Sequence, residues 1–173
     1  MQQENKFYLN IWVIKMKKYL IIFTLFGCGF TPMFSENKTD IYVPVIEGSG
    51  INGIELRNAL NSRFGGQKSE NAPYTLRVTL NSPETKYKAL EPTGAATWQE
   101  IVIRANYVLT YHDNVISTGT ETASESYTFV RYLVAANASY NNAVSNTINV
   151  LAEKIGTRAI AEVAEHEQMV SEK

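Results

Sequence analysis

The only cysteine of this 173-residue chain, Cys28, follows the apolar run Tyr19-Leu20-Ile21-Ile22-Phe23-Thr24-Leu25-Phe26-Gly27, which itself follows Met16-Lys17-Lys18. A basic start and an apolar stretch well short of the roughly 20 residues that cross a bilayer make the pattern of an export signal. Bacterial lipoprotein signals end in a thiol at this place, which takes a diacylglycerol and then becomes residue one. Phe26 stands where a small residue is usual. The chemistry expected of Cys28 is therefore S-acylation, with an N-acyl chain on the new terminus. Each buried methylene contributes about 0.8 kcal/mol to membrane attachment, and more than one chain makes it durable. A single cysteine also excludes an intrachain disulfide framework.

Three other patterns are candidates for chemistry. The segment Val45-Ile46-Glu47-Gly48-Ser49-Gly50-Ile51-Asn52-Gly53 runs a strand through G-x-G-x-x-G into a helix. A dinucleotide-binding turn of this form needs a central parallel strand and an acidic residue at the end of the next one. Pro44 cannot donate to a ladder, which puts its strand at an edge or a bulge, and the next strand, Pro73 to Asn81, contains no acid. The glycines are expected to make a tight strand-to-helix turn. His112 and His166 have no cysteine or histidine at metal spacing and belong to no Ser-His-Asp order. Both are read as exposed, and no metal, cofactor or enzymatic activity is expected. The third pattern is cationic: Arg77 and Arg104 are expected on the polar face of a sheet, with Lys86 and Lys88 in the adjoining loop. Guanidinium and ammonium groups converging there suit phosphate oxygens. With 16 basic against 17 acidic residues, 45% hydrophobic and 19% charged, the chain otherwise reads as an ordinary globular domain with no nucleic-acid signature.

Positioning those residues falls to a few elements. Residues 41–46 read as a short strand, and residues 51–64 as a helix with Ile51, Ile54, Leu56, Leu60 and Phe64 at helical spacing, stopped by Gly65-Gly66. Tyr74, Leu76, Val78 and Leu80 alternate with polar residues as a half-buried strand. Residues 82–97 read as a polar connection. The clearest alternation sets Ile101, Ile103, Ala105, Tyr107, Leu109 and Tyr111 against Glu100, Arg104, Asn106 and Thr110. A turn at His112-Asp113-Asn114 leads into a partner strand from Val115 to about Val130. In that strand Thr118, Thr120 and Thr122 share one face. Residues 135–166 then repeat Val144, Ile148, Leu151, Ile155, Ala159 and Val163 as a long amphipathic helix.

The order β-α-β-β-β-α predicts an α+β two-layer sandwich, with two helices on one face of a mostly antiparallel four-stranded sheet and a polar face left open. The expected division is 1–27 as upstream segment and lipoprotein signal with its start at Met16, 28–40 as a lipidated tether, 41–168 as one domain and 169–173 as a polar tail.

Cys28-Gly29-Phe30-Thr31-Pro32, the run from Gly50 to Leu60 with Leu56-Arg57-Asn58-Ala59-Leu60, and Ser126-Tyr127 before the Ala-rich terminal helix resemble, in that order, the lipopolysaccharide-assembly lipoprotein family LptE. The resemblance is strongest to its alphaproteobacterial branch and covers essentially residues 28–166. It implies a lipoprotein that plugs the outer-membrane β-barrel LptD, aids assembly of that barrel and helps deliver lipopolysaccharide to the outer leaflet. It further implies a periplasmic-facing outer-membrane location and acylation at Cys28. Gly29, rather than Asp, agrees with outer-membrane sorting. Arg77, Lys86, Lys88 and Arg104 are the candidate lipopolysaccharide contacts by sign and predicted face. A polar sheet face suits a polar barrel lumen, and an anchor raises effective concentration near the barrel. The competing expectation is an outer-membrane lipoprotein of a lipid-transport ATPase system that binds a periplasmic shuttle.

Overall fold

The computed structural model describes residues 39–46, 50–90, 96–128 and 132–172. The signal segment, Cys28, nearly all of the tether and Gly48-Ser49 lie outside the described residues. The elements run β1 (Ile41–Tyr42), α1 (Gly50–Arg63), β2 (Tyr74–Leu80), β3 (Glu84–Leu90), β4 (Ala96–Tyr111), β5 (Asn114–Thr128) and α2 (Leu133–Ser171). The class is α+β, and the strands form one mixed sheet in which β1 is parallel to β2 and the other pairings are antiparallel.

The sheet has five strands, because the expected polar connection contains β3. Leu80 pairs with Ala105 and Glu84 with Val102, so β2 and β3 follow one another along the same edge of β4. Asn81-Ser82-Pro83 interrupts what would otherwise be one strand, since proline cannot continue a ladder. Residues 84–89 are all exposed. With these positions all exposed, residues 84–89 carry no apolar alternation to reveal the strand.

Strand β4 organises the rest. Its positions Ile101, Ile103, Ala105, Tyr107 and Leu109 are buried, together with Tyr74, Leu76 and Val78 of β2 and Ala123 of β5. Partners directly opposite in an antiparallel pair share a face, so the register brings all of these to one side. At the end of the hairpin, His112 (φ 43°) and Asp113 (φ 67°) make a two-residue turn with both central residues left-handed, the geometry that matches strand twist. One packing detail fixes the β4–β5 pair. Gly119 lies opposite Tyr107, and a Cβ there would fall 2.7 Å from Cε1 of the ring. The tyrosine lies across the glycine.

Helix α1 buries Leu56 and Leu60, and Phe64 just beyond it, but leaves Ile51 81% and Ile54 62% exposed. At about 100° per residue, Ile54 points roughly 200° away from Leu56, so only the later half of the expected stripe faces the core. Gly65 (φ 78°) and Gly66 (φ 113°) end the helix as expected, with Gly66 N–H donating to the Asn61 carbonyl at 2.8 Å.

Helix α2 is longer than the sequence pattern, running through Met169 and Val170 into the expected polar tail. Its buried stripe from Ala143 to Val163 packs on β5, β4 and α1. The two helices are clamped by a hydrogen bond from Ser145 to Glu55 and by Arg63, whose Nη2 donates to Thr157 Oγ1 at 3.1 Å. Arg63 crosses α2 at Gly156, where a Cβ would meet its Cδ at 3.0 Å. Among the described residues no helix is long and apolar enough to cross a membrane.

Gly119→Ala is expected to lower the free energy of unfolding by about 1–3 kcal/mol, the range for overpacking a filled core, as measured by urea denaturation. Combined with Tyr107→Leu, which removes the ring, it should cost less than the sum of the two single changes.

Candidate functional site

With both helices on one side, the opposite face of the sheet is left uncovered, and the register assigns its residues. Strand β5 contributes Thr118, Thr120, Thr122, Ser124 and Ser126, opposite Val108, Asn106, Arg104, Val102 and Glu100 of β4. Every alternate position of β5 over this stretch is a hydroxyl. Thr120 Oγ1 donates to Asn106 Oδ1 at 2.7 Å, which orders the middle of the ladder. The threonine face was visible in the sequence. Its continuation through Ser124 and Ser126 depended on the register, because serine carries little strand signal.

The four candidate cations separate into two kinds. Arg77 and Arg104 are exposed on the open face, Arg77 opposite Val108 and Arg104 opposite Thr122. Lys86 and Lys88 lie on β3 rather than in a loop. Lys86 is opposite Glu100, but Lys88 is the one bonded to it, at 2.8 Å from Nζ to Oε2. Arg77, Arg104 and Lys86 make no salt bridge among the described residues. They stand at the levels of Val108, Arg104 and Glu100 on β4, four residues apart, or about 14 Å per step at 3.4 Å per residue. Long side chains from adjacent levels can therefore reach a common ligand, with Asn106 and the Thr120 hydroxyl between the two arginines.

Arg77 also borders a groove of about 390 Å³ with Pro44, Val45, Val78 and Thr79. The groove exists because β1 pairs only at Ile41 and Tyr42. The Val43 carbonyl accepts from Arg57 Nε of α1 at 2.9 Å instead of continuing the sheet. This also answers the glycine motif: β1 is a two-residue edge strand, and Gly50 (φ 54°) has nothing within 4 Å of where a Cβ would stand. The glycine serves backbone conformation, and the strand before it lies at the sheet edge rather than at the centre, where a dinucleotide crevice forms.

The histidines are placed differently from each other. His112 is in the hairpin turn, whereas His166 is half-buried, its Nδ1 3.1 Å from the Tyr74 hydroxyl and its ring 4.7 Å from that of Tyr111. No group of three or more metal-ligating side chains occurs among the described residues.

The architecture is that of an α+β sandwich with one face bare, and proteins described as lipoproteins share it. A lipoprotein of Caulobacter crescentus superposes with a TM-score of 0.59 at 18% identity, over 74% of this chain and 93% of that one. Rare lipoprotein B of Shewanella oneidensis gives 0.57 at 15% identity, over 76% and 98%, and a minor lipoprotein of Acinetobacter baumannii 0.52 at 18%, over 70% and 91%. At these identities the likeness is one of fold. No protein-family model matches the sequence, and no curated protein does.

The Glu100 carboxyl is held below the usual carboxylate range, first by the hydrogen bond from Lys88. Desolvation opposes this, and the Ser124 hydroxyl and the charges of Lys88 and Lys86 reinforce it. A carboxyl lowered on folding contributes stability above its unfolded pKa and loses it as the pH falls through the folded value. In a carboxylate NMR titration, Lys88→Gln is expected to move the Glu100 midpoint upward; an unmoved midpoint would show that the pair does not persist in solution.

Proposed function

We propose that the protein is an outer-membrane lipoprotein of the LptE type, acylated at Cys28, that plugs an LptD barrel, aids its assembly and assists lipopolysaccharide delivery to the outer leaflet. The observation that carries this reading is the bare sheet face. A monomeric domain ordinarily covers both faces of its sheet or makes the uncovered one polar, and here five consecutive outward positions of β5 are hydroxyls. A polar face suits the polar interior of a transmembrane barrel. Rare lipoprotein B of Shewanella oneidensis, whose fold this chain shares, is a lipoprotein by name, which agrees with the anchored lipoprotein that the sequence resemblance implies.

Within this reading Arg77 and Arg104 meet lipopolysaccharide phosphates, since both guanidinium groups are exposed and uncompensated. Lys86 supports them from the next level. Lys88 contributes least, because Glu100 already occupies it.

Native envelopes are extracted in detergent, the protein is captured through a C-terminal tag, and both the partners and the N-terminal peptide are identified by mass spectrometry. A stoichiometric LptD barrel and a diacylated Cys28 are expected, and Cys28→Ala should abolish the acylation. Recovery of an unlipidated, barrel-free protein would overturn the reading. A periplasmic shuttle in place of the barrel would assign the protein to a lipid-transport ATPase system instead.

Arg77→Glu and Arg104→Glu are each expected to weaken lipopolysaccharide binding about tenfold, the loss of about 1.4 kcal/mol that matches one charge-assisted hydrogen bond. Lys88→Ala should change it little. Equal effects at all three positions would mean that phosphate is not read by the uncompensated arginines.

A further inference from the structure

The end of the sheet at which the chain enters the domain carries a cleft that neither the core nor the open face uses. Ile41 pairs with Tyr74, and Tyr74 with Tyr111, so these rings lie beside the first strand residue after the tether. The last turns of α2 close over them. Pro73, Tyr74, Tyr111, His166, Glu167 and Val170 line a volume of about 290 Å³, at the small end of ligand sites.

Three rings are among the lining residues. Tyr74 and Tyr111 have centroids 5.0 Å apart, and Tyr111 and His166 4.7 Å, while the Tyr74–His166 hydrogen bond fixes the helix to the sheet at this point. Several groups at the cleft carry negative charge or partial charge. Aromatic faces present the negative lobe of their quadrupole. The carboxylate of Glu167 stands at the rim, and its charge adds to burial in pushing the Tyr74 phenol up. The C-terminal end of a 39-residue helix adds the negative pole of its dipole. Among the described residues no lysine or arginine lines the site. Pro73 and Val170 supply apolar walls, and Val115 (60%), Met169 (53%) and Val170 (55%) are exposed at the same end. This environment favours a small organic cation.

We propose that the cleft binds the ammonium group of a phospholipid headgroup of the ethanolamine class and so seats the anchored end of the domain on the membrane surface. The lipid source rests on the reading of Cys28 as acylated: residues 29–40, fully extended, reach roughly 40 Å, which keeps this end of the domain close to the bilayer.

The full chain, purified in a non-ionic detergent, is titrated with ethanolamine, with choline and with an uncharged tert-butyl isostere of choline, while the ring NMR signals of Tyr111 and His166 are followed. Saturable shifts are expected with the two cations and not with the isostere. Glu167→Gln, at an exposed helix position that leaves the fold intact, should weaken binding about fivefold, and Tyr111→Leu at least as much, as expected for loss of a partner to a desolvated cation. In mixed micelles the same signals should shift with phosphatidylethanolamine and not with phosphatidylglycerol. An equal response to the isostere, undiminished affinity in Glu167→Gln, or no preference between the two lipids would overturn the proposal. Barrel capture is a separate readout. A barrel partner without an ammonium response sinks this inference alone, and an ammonium response without a barrel sinks only the assignment to LptE.

Discussion

Everything in this domain depends on one strand being able to use both of its edges and both of its faces differently. Strand β4 pairs along one edge with β5 and along the other with β2 and then β3. Its odd-numbered side chains from Ile101 to Leu109 are buried, while Arg104 and Asn106 between them are exposed. Backbone hydrogen bonding fixes which residues stand opposite one another. Because the side-chain period of a strand is two, a slip of one residue would exchange the faces completely. Tyr107 lying across Gly119 resists such a slip, since any other residue of β5 would place a Cβ inside the ring.

That division explains why the two helices lie where they do. Apolar area is concentrated on one face, so α2 lays its stripe from Ala143 to Val163 there, and α1 packs beside it through Leu56 and Leu60. Helix α2 also guards the outer edge of β5: Lys154 donates to the Thr122 carbonyl at 2.7 Å, and Arg158 pairs with Glu121 at 3.1 Å. A long unpaired edge is a template for association with another strand, and a lysine placed against it blunts that tendency. The open face is thereby left outside the contacts that fold the domain.

Charge is sorted by position more than by amount. The chain is almost neutral, yet the open face carries Arg77 and Arg104 without carboxylate partners among the described residues, whereas the Tyr74–Tyr111–His166 end carries aromatic rings, Glu167 and a helix C-terminus. The two regions thus differ in the sign of the charges they carry. Lys88, a candidate by sign and predicted face, belongs to neither, because Glu100 compensates it.

The sequence by itself determined the elements whose burial is periodic: the β4 alternation, the hairpin at His112-Asp113, the stop at Gly65-Gly66 and the stripe of α2. It also determined the α+β class and the two arginines on the polar face, since each of these follows from side-chain type at fixed spacing. Only the tertiary structure decided what spacing does not encode. Strand β3 pairs with β4 while Glu84 to Ala89 all stay exposed, so no apolar alternation announces it. Ile51 and Ile54 fit a helical stripe equally well, but the direction of the core, set by how α1 meets α2, left them outside. Lys88 and Glu100, twelve positions apart in sequence, became partners through the β3–β4 register. The meeting of Tyr74, Tyr111 and His166 likewise required a helix 39 residues long to return over the start of the sheet, a long-range contact that no local pattern contains.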